Sequence, residues 1–178
     1  DQVLGQWELS GYPKGIARFG PSEIWVALDG VPGTISVLSD SGESLRRIET
    51  SGEAIDAICP WDADSFLVSV RVSGQLQRWN RAGERIEDLR GQNVSGMTRT
   101  DEGNLLAASS LNAEVQEFNA ERRTVSRHSN LPQARACVRT EAGLTVVAYA
   151  QGLVALDRDG NEVWSVRDLG PAITLAYF

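Results

Sequence analysis

The chain has 178 residues, 42% hydrophobic and 23% charged, enough for one domain with a sizeable apolar core. Its net charge of -7 repels a phosphate backbone, so nucleic acid is not an expected partner. No apolar run reaches the roughly 18–20 residues of a membrane span, and the single histidine, His128, excludes metal sites built on several imidazoles.

A period of about forty residues runs through the chain. A small-apolar pair recurs at Gly15-Ile16, Ala54-Ile55, Gly96-Met97, Ala136-Cys137 and Ala172-Ile173, at steps of 39, 42, 40 and 36 residues. In phase with it run alternating segments that end in a bulky apolar residue and a small polar one: Ile35–Ser39, Leu76–Asn80, Val115–Asn119 and Leu153–Asp157. A third marker, a turn and a further apolar segment, follows at Gly42–Leu45, Gly83–Ile86 and Gly160–Val163. The third repeat has Ala120–Val125 there, without glycine.

Read in chain order, the alternation predicts short strands broken by polar or glycine turns. Residues 3–10, with Gln6-Trp-Glu-Leu9, read as the outermost strand of a preceding unit. Four units follow, at 12–50, 51–90, 91–130 and 131–169. Their strands are predicted near 14–19, 23–28, 34–39 and 44–49; near 53–59, 65–71, 74–80 and 84–89; near 94–100, 104–110, 113–119 and 123–128; and near 134–140, 144–149, 152–157 and 162–166. Residues 171–178 read as an isolated innermost strand.

Four strands per forty residues is one blade of a β-propeller. The expected fold is therefore all-β: a single propeller domain over 1–178, with four four-stranded blades plus an outer strand at the start and an inner strand at the end. A lone meander cannot bury both faces, so the blades must pack face to face about a shared axis. The small residues Gly15, Ala54, Gly96, Ala136 and Ala172 belong where innermost strands converge. The two partial strands lack the middle of a blade, which suggests an excised piece or a ring completed by another segment or a second copy. The chain begins at Asp1 rather than Met, so residues are expected to have been removed ahead of it, and its first residues do not speak to compartment.

Residues Pro13–Ala27, with Thr34–Gly42, carry the skeleton P-x-G-I-A, I-W-V-A, I-x-V and D-x-G, and this resembles an NHL-type or YVTN-type repeat. Gly152–Trp164, with its A-L-D, glycine turn and closing Trp, looks like a pyrroloquinoline-quinone-type propeller repeat. The resemblance implies a propeller scaffold; activity is left open because one fold hosts many sites.

Candidate site residues follow from the repeat. Arg18, Arg99 and Arg139 occupy equivalent ends of innermost strands, where Ala57 and Leu175 stand in the other two repeats. They fit either an anion or acidic-peptide site or local pairing with Glu23, Asp101 or Glu141. Loops at the opposite end carry Asp29, Arg71, Asn112 and Tyr149, with Tyr12, Asn93 and Asn130 in the links between blades. Trp25, Trp79 and Trp164 sit at apolar strand positions and read as core, whereas Trp61, beside Asp62 and Asp64, reads as the exposed aromatic. Asp56 is the one acidic candidate on the inner strands for a channel metal of the kind propeller lactonases hold. Cys59 and Cys137, far apart and in apolar stretches, read as buried thiols.

No convergent cluster of titratable groups stands out. No catalytic residue, cofactor or metal is therefore expected. The reading is a non-catalytic propeller, scaffold or sensor, that mediates protein–protein interaction within a larger protein. The alternatives are a piece of a propeller hydrolase of lactonase or gluconolactonase type, and a carbohydrate-binding propeller.

Overall fold

The computed structural model describes residues 9–50, 52–89 and 93–169. These residues form sixteen strands in four antiparallel sheets, each of four strands hydrogen-bonded in chain order. The first sheet holds β1 (Pro13–Phe19), β2 (Glu23–Leu28), β3 (Thr34–Ser39) and β4 (Ser44–Glu49). The second holds β5 (Ile55–Pro60), β6 (Ser65–Val70), β7 (Leu76–Asn80) and β8 (Arg85–Leu89). The third holds β9 (Val94–Arg99), β10 (Leu105–Ser109), β11 (Glu114–Phe118) and β12 (Thr124–Ser129). The fourth holds β13 (Ala136–Arg139), β14 (Thr145–Tyr149), β15 (Gly152–Leu156) and β16 (Glu162–Arg167). Every strand lies within two residues of its expected bounds. The partial strands expected at 3–10 and 171–178 fall outside the described residues, except Leu9 and Ser10, which are in no strand.

The chain divides into two compact units, one carrying the first two sheets and the other the last two. Within the first unit the facing sheets share one apolar cluster. Trp25, Ile35, Val37 and Ile48 from the first sheet meet Ile55, Ile58, Phe66, Val68 and Trp79 from the second. Phe19 stacks on Trp25 at 4.4 Å between centroids, and Phe66 meets Trp25 edge-on at 4.9 Å. Burying Trp25 and Phe66 completely contributes several kcal/mol that neither sheet obtains alone. In the second unit Leu106, Ala108 and Val115 pack against Cys137, Val147, Tyr149, Val154 and Leu156.

Small residues sit where innermost strands meet. A Cβ on Gly15 would lie 3.1 Å from the Ile58 nitrogen and 3.2 Å from the Ala57 Cα. On Gly96 it would lie 2.1 Å from the Arg135 carbonyl oxygen, so the backbones of β9 and of the approach to β13 touch directly. The second repeat differs in register. Ala57 pairs with Ser69 as Gly15 pairs with Ala27, so Ala57 rather than Ala54 is its small residue, after an irregularity between Ile55 and Ala57. By the same register, Pro60 stands opposite Phe66 as Arg18 stands opposite Ile24, and Pro60 takes the arginine position.

The bulky markers also acquire a structural meaning. In all four sheets the ladder between third and fourth strands shifts at one place, beside Leu38, Trp79, Phe118 and Leu156. A bulge there twists the outer strand away from the blade plane. The hairpin that follows needs a left-handed residue. Gly42, Gly83 and Gly160 supply it at φ of 83°, 88° and 86°, and in the third repeat, whose hairpin lacks glycine, Arg122 adopts it at 64°.

Substitution at the two convergence glycines tests this packing. Gly96→Ala should destabilise the protein by about 3 kcal/mol because backbone must move, against about 1 kcal/mol for Gly15→Ala, as read from denaturant midpoints.

Candidate functional site

At the loop end of the first unit the structure brings together residues the sequence offered separately. Arg71 follows β6, Asp29 follows β2, Asp56 is on β5 and Lys14 on β1. The Arg71 guanidinium forks between two carboxylates, with Nη1 3.0 Å from Asp29 Oδ1 and Nε donating to Asp56 Oδ1 at 2.7 Å. Lys14 Nζ lies 3.5 Å from the other Asp29 oxygen. Burial pushes the Asp29 carboxyl up, but Arg71 and Lys14 outweigh it and hold the group below the usual carboxylate range. The hydrogen bond from Arg71 to Asp56, against a smaller cost of burial, strengthens the guanidinium's hold on its proton.

The loops that carry this cluster are anchored to the 50–54 link between blades. Gly33 donates to the Glu53 carbonyl at 3.0 Å, Thr50 donates to the Gly33 carbonyl at 2.8 Å, and Arg71 donates its backbone N–H to Ala54 at 2.9 Å. The cluster is therefore held on a fixed frame, with two cations and two anions that cancel. Around it stand three nearly free apolar side chains, Tyr12 at 81% exposure, Val31 at 76% and Val72 at 81%.

The three arginines share one local role. Arg18 donates to the Pro21 carbonyl at 2.5 Å, Arg99 to Gly103 at 3.3 Å and Arg139 to Gly143 at 3.1 Å, so each clasps the turn that follows its strand. Their carboxylate partners differ from those expected. Arg18 faces Asp40 at 3.4 Å, and Arg139 is paired with Glu117 in a contact where both side chains are about nine-tenths buried. Glu23 instead takes Arg81 at 2.5 Å and Trp25 Nε1 at 2.8 Å. Glu117 also accepts from Asn104 at 2.8 Å and Ser126 at 3.3 Å, so the buried pair is fully hydrogen-bonded.

The remaining candidates are placed apart. Asn112 is exposed in the β10–β11 turn, its N–H donating to Ser109 Oγ at 3.2 Å. Tyr149 is in the apolar cluster of the second unit, 7% exposed. Trp61 is only half-exposed, whereas Trp164, expected in the core, is 41% exposed. The register gives the reason. Trp164 pairs with Ala155 as Arg46 pairs with Val37, Glu87 with Arg78 and Ser126 with Glu117, so its position is polar in the other three repeats. Trp7 lies outside the described residues. Sequence reasoning passed over Glu117 and Arg81, and paired Glu23 with the inner-strand arginines rather than with Arg81. For Glu117 the signal was a charge inside a strand between Val115 and Phe118, whereas Arg81 stands in the turn after β7 and carried none. Among the described residues no group of three or more His, Cys, Asp or Glu side chains could hold a metal ion.

Two outcomes check these assignments. Arg71→Gln should raise the Asp29 carboxyl toward its ordinary value. Asp29's stabilising effect, present above the unfolded carboxyl's pKa and lost as pH falls through the lower folded one, should shrink accordingly; an Asp29 NMR titration reads both. Arg139→Met should cost about 3–5 kcal/mol by stranding buried Glu117, and adding Glu117→Leu should recover most of it in denaturant unfolding.

No family model matches the chain, and no curated protein sequence matches it. Solved structures do. A protein of unknown function from Bacteroides caccae aligns over 89% of this chain and 62% of its own, with a TM-score of 0.63 and 16% identity. Glutaminyl cyclase from Myxococcus xanthus aligns over 84% of this chain and 67% of its own, with a TM-score of 0.64 and 12% identity. A streptogramin B lyase aligns over 90% of this chain and 57% of its own, with a TM-score of 0.66 and 12% identity. The chain thus spans about three-fifths to two-thirds of the length of these proteins. At such identities the likeness is one of fold, and that fold is the β-propeller.

Proposed function

We propose that the chain is a non-catalytic propeller module, built of NHL-like repeats, that offers the loop end of its blades to a protein partner. The observation that carries this reading is the repetition of exposed apolar residues at one hairpin, the link between second and third strands. Val31, Val72 and Leu111 occupy it in three successive blades, each at least 73% exposed. Tyr12, whose carbonyl accepts from Asp29 N–H at 2.8 Å at the start of the first of these links, adds an exposed aromatic. Solvated apolar tips beside charges already neutralised among themselves have the mixed composition of a protein interface. With Lys14, Asp29, Asp56 and Arg71 consumed by one another, the surface attracts neither a polyanion nor a polycation, which favours protein over nucleic acid. No described helix is long and apolar enough to cross a membrane.

A second reading keeps the runner-up class, part of a propeller enzyme. It is favoured by the fact that two structural neighbours are named as enzymes and that the chain spans only part of their length.

The experiment places a photo-crosslinking amino acid at Val72 or at Val125, a half-exposed residue of the outer strand β12. A single protein adduct at Val72 and none at Val125 is expected, and Val31→Asp with Val72→Asp should then weaken that partner's binding about tenfold or more. Stoichiometric metal or hydrolytic turnover by the purified protein would replace this reading with the enzymatic one.

A further inference from the structure

The only histidine stands where the other repeats keep an aliphatic residue. His128 pairs with Val115 as Ile48 pairs with Ile35, Leu89 with Leu76 and Val166 with Leu153. Within each unit this residue reaches the hairpin glycine of the next blade. A Cβ on Gly83 would lie 3.0 Å from Ile48 Cγ2, and one on Gly160 would lie 2.8 Å from His128 Nδ1. The contact is the same, but the consequences differ. Ile48 closes the apolar cluster of the first unit. His128 is 7% exposed, its Nε2 has no hydrogen-bond partner, and it borders a cleft of about 450 Å3 that also touches Asn130, Tyr149, Gln151 and Gly160.

Charge around the imidazole gives a proton no welcome. Arg139 is the cation set against it. Glu117 and Asp157 are the anions that would favour the charged form, and both are already engaged. Glu117 is bound to Arg139, Asn104 and Ser126. Asp157 accepts from the backbone of Asp159 at 2.9 Å and of Asn161 at 2.8 Å, and from the Asn161 amide at 3.0 Å. On the cleft wall Arg127 is paired with Glu114 at 3.4 Å and Arg167 with Glu162 at 3.9 Å, while Asp159 is solvated. An imidazolium in this position is therefore buried without a counter-ion of its own, a condition that folded proteins avoid by staying neutral or by opening.

We propose that the His128–Gly160 contact is an acid-sensitive latch: mild acidification releases the β15–β16 hairpin from β12 and widens the cleft, while the aliphatic Ile48–Gly83 contact of the first unit stays shut. Burial, with Arg139 adding to it, holds the His128 pKa below the ordinary 6.5 against the weaker pull of Glu117 and Asp157. The direction of the pH effect follows. Above pH 6.5 folded and unfolded imidazoles are both neutral and the contact has its full strength. As pH falls from 6.5 toward the depressed folded value, the opened state takes up a proton that the closed state refuses, and stability is lost across that window.

Hydrogen exchange of the whole protein at pH 7.5 and pH 5.5, corrected for intrinsic rates, tests the latch. The expected result is about tenfold loss of protection in β12 and the β15–β16 hairpin, none in β4 and the β7–β8 hairpin, and no differential loss in His128→Ile. Equal loss in both units, or loss that persists in His128→Ile, overturns the proposal. Should that variant not fold, the single imidazole NMR resonance of the wild type decides: a pKa below 6.5 is expected, and one at or above 6.5 overturns it.

Discussion

Everything in this protein depends on the close approach of neighbouring innermost strands. A four-stranded meander has two apolar faces and cannot hide either by itself, so stability comes from pressing one sheet onto the next. The approach is closest where Gly96 meets the carbonyl of Arg135 and where Gly15 meets Ala57. Farther out, large side chains fill the widening gap, with Trp25 and Phe66 in one unit and Leu106, Val147 and Tyr149 in the other. Small residues inside and bulky ones outside are thus two consequences of one wedge-shaped space.

The same wedge organises the charges. At one end of the strands each arginine clasps the carbonyl of its own turn, and Arg139 and Arg81 go on to join adjacent sheets through Glu117 and Glu23. At the other end Arg71, tied to Asp56 within its own sheet, joins the adjacent sheet through Asp29. Most of these side chains are spent on holding blades in register. Several side chains left exposed at the loop end are apolar, Val31, Val72 and Leu111 among them, and this drives the functional reading toward a protein surface rather than an ion or a phosphate.

The outer strands carry the variation. The hairpin after each third strand requires one left-handed residue, which is glycine three times and Arg122 once. The residue at the corresponding register position of the outer strand is aliphatic in three repeats and His128 in the remaining one. A repeat fold tolerates such exchanges because each contact is local to a pair of blades. One blade can then acquire a property, here a titratable contact, without altering the others.

Periodicity alone determined the strands, their grouping in fours and the hairpins, because alternation and turn chemistry are local and a forty-residue period repeats them four times. It also marked Asp29 and Arg71 as loop residues of the same end. It could not show that Arg71 reaches Asp29 and Asp56 together, that Arg139 abandons its neighbour Glu141 for Glu117, or that the second repeat's small residue is Ala57. Nor could it tell Trp164, on the polar side of an outer strand, from Trp25 in the core. Those outcomes rest on register and on which face of one sheet meets the next. A one-residue shift in register moves a side chain to the other face, so only the tertiary structure decided them.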